Sequence, residues 1–216
     1  MGLLYNRIAG KNLERLSALS DGVFSVAMTL LVLDLRVPAT VAARSEHDVF
    51  NVLVALVPRF IPYLMSFLTV GIFWIGQQTQ ISAFARSDRH LAWIHLCLLF
   101  AVTMMPFSTT FLAQFITFRV ALLVYWANIL VLGLVLFASW QYASRAQLLR
   151  DDAPPGIGKA IVRRIAVAQA CYAFGALLCA INTYVSMAFI VLVQLYYATG
   201  IGYRPAAQSE KGAVIR

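Results

Sequence analysis

Residues 15–34 read RLSALSDGVFSVAMTLLVLD, an apolar segment that is interrupted by Asp21 and ends at Asp34. A helix of about 20 residues spans the hydrocarbon core of a bilayer, which is roughly 30 Å thick. We therefore interpret residues 16–35 as a membrane-spanning helix in which Asp21 falls about one turn inside the boundary. An ionisable side chain at that depth is costly and needs a hydrogen-bonding partner or a water-filled path.

The remainder of the 216-residue chain is similarly apolar. Over the full chain, hydrophobic residues make up 61% and charged residues only 12%, whereas a soluble domain carries about 25% charged residues. This composition excludes a soluble globular domain and predicts an all-α integral membrane protein. The net charge of +8 would suggest a nucleic-acid partner in a soluble protein. Here the cations stand between apolar runs, without a compact basic face, so no nucleic-acid partner is expected.

Further apolar runs predict one domain, residues 1–216, with six spans. Residues 60–85, 91–118 and 120–144 contain no charged side chain and account for one helix each. The uncharged run 165–203 is too long for one span, and Asn182-Thr183 near its middle predicts a tight reversal. The approximate spans are 16–35, 60–84, 91–114, 120–143, 161–181 and 184–200, and residues 204–216 are expected to form a flexible tail.

Six spans also sort the cations by side. One side receives four of the 17 lysines and arginines, namely Arg36, Arg44, Arg59 and Arg119, and the other side receives the remaining 13. Since Lys and Arg accumulate on the cytoplasmic side, both termini are expected in the cytoplasm. If residues 165–203 formed one helix, the split would weaken to ten against seven. A cleavable signal peptide is the less favoured alternative, because Arg36 follows the first apolar segment so closely.

Motifs that would indicate catalysis are absent from the sequence. It contains no His-Glu-x-x-His, no Gly-x-Ser-x-Gly and no phosphate-binding glycine loop, so neither an enzyme nor a cofactor is expected. His47 and His90 fall in predicted loops, and His95 enters the third span, where a helix-packing hydrogen bond is favoured. The cysteines are interpreted as small packing residues: Cys97, Cys171 and Cys179.

Polar residues cluster near the inner end of the first span. Arg15 and Ser20 are near Asp21 along the chain and are candidate partners for its carboxylate. The second span, which runs inward, brings further polar side chains to the same depth: Trp74, Gln77 and Gln78. Two interpretations remain open. The cluster is either a polar clamp between the first two spans or part of a gate or pore vestibule.

Beyond Asp21, one face of the first span is aliphatic apart from a single hydroxyl. Val26, Thr29, Leu30 and Leu33 follow one another at helical spacings of three and four residues. By spacing alone, such a stripe is typical of a helix-packing face.

The first span also carries a motif. Arg15-x-x-x-Leu19-Ser20-Asp21, followed by TLLVL at 29–33, resembles the signature of the transmembrane protein 175 family of potassium channels. Members carry Arg-x-x-x-Phe-Ser-Asp on the first helix of a six-helix repeat. The similarity extends over roughly residues 10–112, through YLMSF at 63–67, GIFW at 71–74, LAWIH at 91–95 and PFST at 106–109.

The resemblance implies a function and a site. A single repeat is similar to the prokaryotic form, a homotetramer that conducts potassium ions passively, and this implies the inner (plasma) membrane of a bacterium. The first helices would line a central pore, with a constriction at Val26, Leu30 and Leu33 and ion preference at Thr29. A structural polar network would hold the base of this helix: Arg15, Ser20, Asp21, Trp74 and Gln77. The alternatives are a proton- or cation-coupled secondary transporter that uses Asp21, and a non-conducting scaffold.

The sequence departs from the family pattern at the site. Leu19 replaces the phenylalanine of the motif, which should preserve apolar packing without aromatic contacts. Gln77 and Gln78 stand where members usually have a histidine pair, so a pH response carried by those histidines is not expected. Val26 is smaller than the usual Ile or Leu, which would loosen the constriction or shift it to deeper leucines.

Overall fold

The computed structural model describes residues 12–35 and 45–199, and these ranges are helical apart from loops and one isolated β-bridge. The all-α fold expected from the sequence is confirmed. The helices are α1 (Leu13–Leu31), α2 (Glu46–Ser82), α3 (Arg89–Thr103), α4 (Met105–Gln114), α5 (Arg119–Arg145), α6 (Ile157–Leu177) and α7 (Thr183–Thr199). Short 3-10 turns extend α1 over Val32–Asp34 and α6 over Leu178–Ala180. The predicted tail 204–216 and the loop cations Arg36 and Arg44 lie outside the described residues.

Four segments of the described chain are long and apolar enough to cross a bilayer: Glu46–Ser82, Arg89–Gln114, Arg119–Arg145 and Ile157–Ala180. The second of these is α3 continued by α4 across Met104, with Pro106 in the first turn of α4. The first helix, α1, contains Glu14, Arg15 and Asp21, and α7 has 17 residues. Compared with these four segments, α1 therefore has a higher proportion of charged residues and α7 is shorter.

The second helix is longer than the sequence predicted. It begins at Glu46 rather than at residue 60, because a capping box closes its start: Ser45 Oγ accepts from the Asp48 N–H at 3.2 Å, and Asp48 Oδ2 accepts from the Ser45 N–H at 3.0 Å. His47, which was predicted in a loop, therefore lies exposed in the first turn of α2. The uncharged run on which the prediction rests begins directly after Arg59, but an exposed arginine does not interrupt a helix. A straight helix of 37 residues is about 55 Å long, which exceeds the thickness of the bilayer core.

The ends of α2 and α5 are joined through their following loops. The Ala85 N–H donates to Leu148 O at 2.8 Å, and the Arg150 N–H donates to Ala83 O at 3.0 Å. The Tyr142 hydroxyl donates to Asp88 Oδ2 at 2.6 Å. These bonds place the loop after α2 and the linker after α5 at the same end of the bundle. In that linker, a hydrogen bond from the Arg150 guanidinium, together with its charge, lowers the pKa of the Asp152 carboxyl.

The core of the bundle is mainly apolar, with a smaller set of buried polar side chains. Cys179 is buried, Cys171 is half-buried and Cys97 is exposed, and all three are free thiols.

The chain reverses after α6, where Asn182 Oδ1 accepts from the Tyr184 N–H at 2.7 Å, so the turn falls where the sequence placed it. The first helix packs one face into this core: Leu16, Ser20, Phe24, Ala27 and Leu31 are buried.

Candidate functional site

The opposite face of α1 is exposed on the single chain. It carries the four residues that the sequence singled out, with exposed fractions of 56% for Val26, 45% for Leu30 and 55% for Leu33. The fourth, Thr29, is also exposed, and its hydroxyl donates to Val26 O at 2.8 Å. Because the hydroxyl proton is engaged within the helix, the lone pairs of the Thr29 oxygen remain available as acceptors.

A shallow apolar groove runs beside this face. It has a volume of about 390 Å³ and lies between α1 and the junction of α3 with α4, where Thr103 and Pro106 form its far wall. On α1 it is lined by small and aliphatic side chains: Ala18, Leu19, Gly22, Val23, Val26, Ala27 and Leu30. The exposed face of α1 therefore continues into a surface with little polar character.

The base of α1 is hydrogen-bonded to α2 at two adjacent positions. Ser20 is completely buried, accepts from Gln77 Nε2 at 2.9 Å and donates to Leu16 O at 2.9 Å. One carboxylate oxygen of Asp21, Oδ1, accepts from Trp74 Nε1 at 2.8 Å and from Gln78 Nε2 at 2.6 Å. The Asp21 carboxylate thus obtains two neutral donors from the neighbouring helix.

The structure brings together Ser20, Asp21, Trp74 and Gln77, and it adds Gln78, which the expected network omitted. The signal for Gln78 was its spacing, since it lies four residues after Trp74 and hence on the same side of α2. Gln77 is one position removed and reaches Ser20 instead of the carboxylate.

The arginine of the motif does not join this cluster. Its side chain is exposed, and its backbone N–H donates to Asn12 Oδ1 at 2.9 Å as part of the N-terminal cap of α1. Within residues 12–35 and 45–199 the one ion pair is Arg150–Asp152. The expectation that Arg15 partners Asp21 is therefore wrong for the single chain. Arg15 and Asp21 are six residues apart, which corresponds to about 240° around a helix and puts the two side chains on different faces.

Removing the Ser20 hydroxyl should destabilise the fold. In Ser20→Ala, the buried Gln77 amide loses its acceptor, and Gln77 Oε1 has no partner within the described residues. We expect the free energy of unfolding to fall by about 1–2 kcal/mol, measured by SDS titration in mixed micelles. Ser17→Ala, a half-buried serine on the same helix, is the matched control and should change it by less than about 0.5 kcal/mol. Equal effects of the two substitutions would contradict a specific role for the Ser20–Gln77 bond.

A second polar network, which no sequence motif indicated, lies deep in the bundle. Tyr125 OH lies 3.1 Å from Thr69 Oγ1, which also accepts from Gln194 Nε2 at 2.7 Å. Thr109 Oγ1 donates to Ser66 Oγ at 2.6 Å. All five side chains are buried, and together they link α2, α4, α5 and α7 without involving α1. Such interhelical bonds between neutral groups stabilise membrane bundles.

The buried histidine differs from the expectation in its partner. His95 Nδ1 pairs with Leu91 O at 3.1 Å within α3, and Phe84 packs edge-on against the ring. Nε2 has no hydrogen-bond partner in the part of the chain that the structure describes. The histidine thus packs α3 against the loop that follows α2.

Long apolar helices and an internally hydrogen-bonded polar base define a multi-pass helical membrane protein. The family model described as "Endosomal/lysosomal potassium channel TMEM175" matches residues 15–106. A Streptomyces collinus protein described as a potassium channel is 32% identical over 206 residues, which cover 92% of this chain and 97% of that protein. A second protein so described, from Chamaesiphon minutus, is 30% identical over 188 residues, covering 85% and 92%.

The solved structures give the same result. The crystal structure of a lysosomal potassium-selective channel TMEM175 homolog from Chamaesiphon minutus superposes with a TM-score of 0.76 at 27% identity. The match covers 87% of this chain and 96% of that chain. The chain therefore belongs to the TMEM175 family, and the matched family and relatives are described as ion channels, not enzymes.

Proposed function

We propose that this protein is a potassium-permeable cation channel in which α1 of each of four subunits lines a central pore. The observation that carries the proposal is the exposed stripe of Val26, Leu30 and Leu33 on a helix whose opposite face is buried. Two bacterial relatives that match most of the chain are described as potassium channels, which supports potassium as the permeating ion. A homotetramer would surround the four stripes with protein and leave them facing the axis.

The proposed mechanism is a hydrophobic constriction. Rings of Val26, Leu30 and Leu33 exclude water when the helices are close and pass partly dehydrated ions when the helices separate. Between the first two rings, the Thr29 oxygens offer acceptors that replace part of the hydration shell of a cation. Because valine is the smallest of the three side chains, we assign the narrowest point of the pore to the ring of Leu30 or of Leu33.

The proposed topology places both termini in the cytoplasm and counts α1 and α7 as spans. Support comes from the bias of Lys and Arg toward one side and from the joined loops after α2 and α5, which lie at one end of the bundle. Bacterial relatives favour the inner membrane as the location. In this arrangement the Ser20–Asp21 base lies near the cytoplasmic end and acts as a clamp that fixes α1 against α2.

Purified protein in liposomes tests the proposal directly. We expect potassium to leave preloaded liposomes down its gradient without any requirement for a proton or sodium gradient. Each gradient is applied singly and then in pairs, and empty liposomes provide the baseline. No flux under any gradient would favour a non-conducting scaffold instead.

A coupled transporter that uses Asp21 is the second candidate, because an exposed intramembrane carboxylate is the expected carrier of a coupled ion. The variant Asp21→Asn separates the two. Asparagine retains an oxygen that can accept from Trp74 and Gln78, so a passive channel should keep its potassium flux within about threefold of the wild type. A transporter coupled through this carboxylate would lose transport, and such a loss in a correctly folded variant would contradict the channel.

A further inference from the structure

A groove between α2 and α6 lies away from α1 and its polar base. Ile72 and Gly76 of α2 face Ile165 and Ala168 of α6 across a cavity of about 70 Å³. The space exists because two of these residues have minimal side chains. A Cβ added to Gly76 would meet nothing closer than Leu136 Cδ1, at 3.7 Å. The walls are mainly apolar, which suits a hydrocarbon chain rather than an ion.

One end of the groove carries a positive charge. The Arg164 guanidinium lies over the ring of Tyr197, 5.6 Å from its centroid, and both residues line the groove. The Arg164 side chain is exposed, and in the ranges 12–35 and 45–199 no carboxylate forms an ion pair with it. The tyrosine holds the cation in place without neutralising it. The cation is thus fixed at the mouth of the groove and still needs an anion.

In the proposed topology, this end of the groove lies near the boundary of the bilayer. Arg164 lies seven residues after the start of α6, about 10 Å along its axis. Tyr196 and Tyr197 lie in the last turns of α7, and tyrosine is enriched where membrane meets water. Arginine near a helix end extends its charged group toward the headgroups while its stem stays in the apolar layer.

We propose that this groove binds an anionic phospholipid, with the phosphate on Arg164 and the upper part of an acyl chain between Gly76 and Ala168. The charge of the guanidinium complements a phosphodiester with net charge −1, and the apolar walls complement the chain. A zwitterionic lipid fits the walls equally but presents a choline that repels the cation. The site requires a protein embedded in a bilayer and is independent of whether the protein conducts ions.

Lipid retention measures this site without any flux assay. The full-length protein is extracted from vesicles of equal dioleoylphosphatidylglycerol and dioleoylphosphatidylcholine, and the co-purifying lipid is quantified by mass spectrometry. We expect wild-type protein to retain phosphatidylglycerol in excess over phosphatidylcholine. Arg164→Gln should lower the ratio of phosphatidylglycerol to phosphatidylcholine at least about fivefold, the effect of losing one cation at an anionic surface. Millimolar inorganic phosphate should leave the ratio unchanged, because the acyl chain contributes to binding.

Two further variants make the result decisive. Arg163→Gln removes the same charge one residue away, at an exposed side chain that does not line the groove, and should change the ratio less than about twofold. Ala168→Leu fills the groove with all charges intact and should also reduce retention of phosphatidylglycerol. Because each ratio is internal to one preparation, yield does not affect it. Unchanged retention in the Arg164 or Ala168 variant, or equal losses in the two arginine variants, overturns the site.

Discussion

Replacing Val26 by asparagine is expected to raise potassium flux through the protein about tenfold or more, which corresponds to lowering a barrier by at least about 1.4 kcal/mol. The two side chains have similar size, so the substitution changes the wetting of the proposed constriction rather than its width. Asparagine offers an amide that binds water, and a hydrated ring no longer excludes ions by drying. The discrimination between potassium and sodium should fall at the same time, because ions then pass with more of their water.

The measurement is efflux from liposomes that are loaded with potassium or with sodium and contain equal amounts of protein. Val32→Asn provides the matched control, since Val32 is 47% exposed but lies roughly 120° around the helix axis from Val26. That variant should conduct like the wild type. If Val26→Asn assembles normally and its flux is unchanged, Val26 does not line the pore, and the exposed stripe of α1 must face lipid or a neighbouring subunit.

Charge-free runs locate most of the helices because an unpaired charge is costly in hydrocarbon and therefore marks the ends of apolar segments. With α3 and α4 taken as one span, the ends of the helices lie within four residues of the predicted bounds, with one exception. That exception is the start of α2, where the criterion fails because Arg59 is exposed and a helix accepts an exposed arginine anywhere along its length. The capping pair Ser45 and Asp48 was the signal that would have located the true start.

The site was partly predictable for a different reason. Motif spacing identifies which residues of α1 share a face, but it does not identify their partners, which depend on the rotation of α2 about its own axis. Ser20 and Asp21 are adjacent in sequence and point about 100° apart, so they meet different glutamines. The network around Tyr125 was invisible because its members are single hydroxyls and amides spread over four helices. Their shared feature, a polar side chain within an apolar span, indicates burial in the bundle but not the pairing.

At Gly175, α6 and α7 approach each other closely, and filling this position is expected to prevent normal folding. A Cβ at this position would lie 2.8 Å from Ile190 Cγ1 and 3.1 Å from Phe189 Cδ1, and real Cβ atoms essentially never come within 3.0 Å. The Gly175 carbonyl also accepts a hydrogen bond from the Ser186 hydroxyl, which fixes the two helices in register. Membrane helices associate through such close approaches of small residues, because lipid leaves no hydrophobic force to hold them.

Gly175→Leu should therefore lower the free energy of unfolding by about 3 kcal/mol or more, and Gly175→Ala by about 1–3 kcal/mol, as overpacking does in close-packed cores. SDS titration in mixed micelles measures both, together with the yield of monodisperse protein. Gly71→Ala is the matched control, since a Cβ there meets only the flexible Met28 Cε at 3.7 Å. It should leave stability unchanged or slightly raised, because alanine is the better helix former. Comparable losses at both glycines would mean that the helices tolerate no added methyl anywhere, and the close α6–α7 approach would then not be the cause.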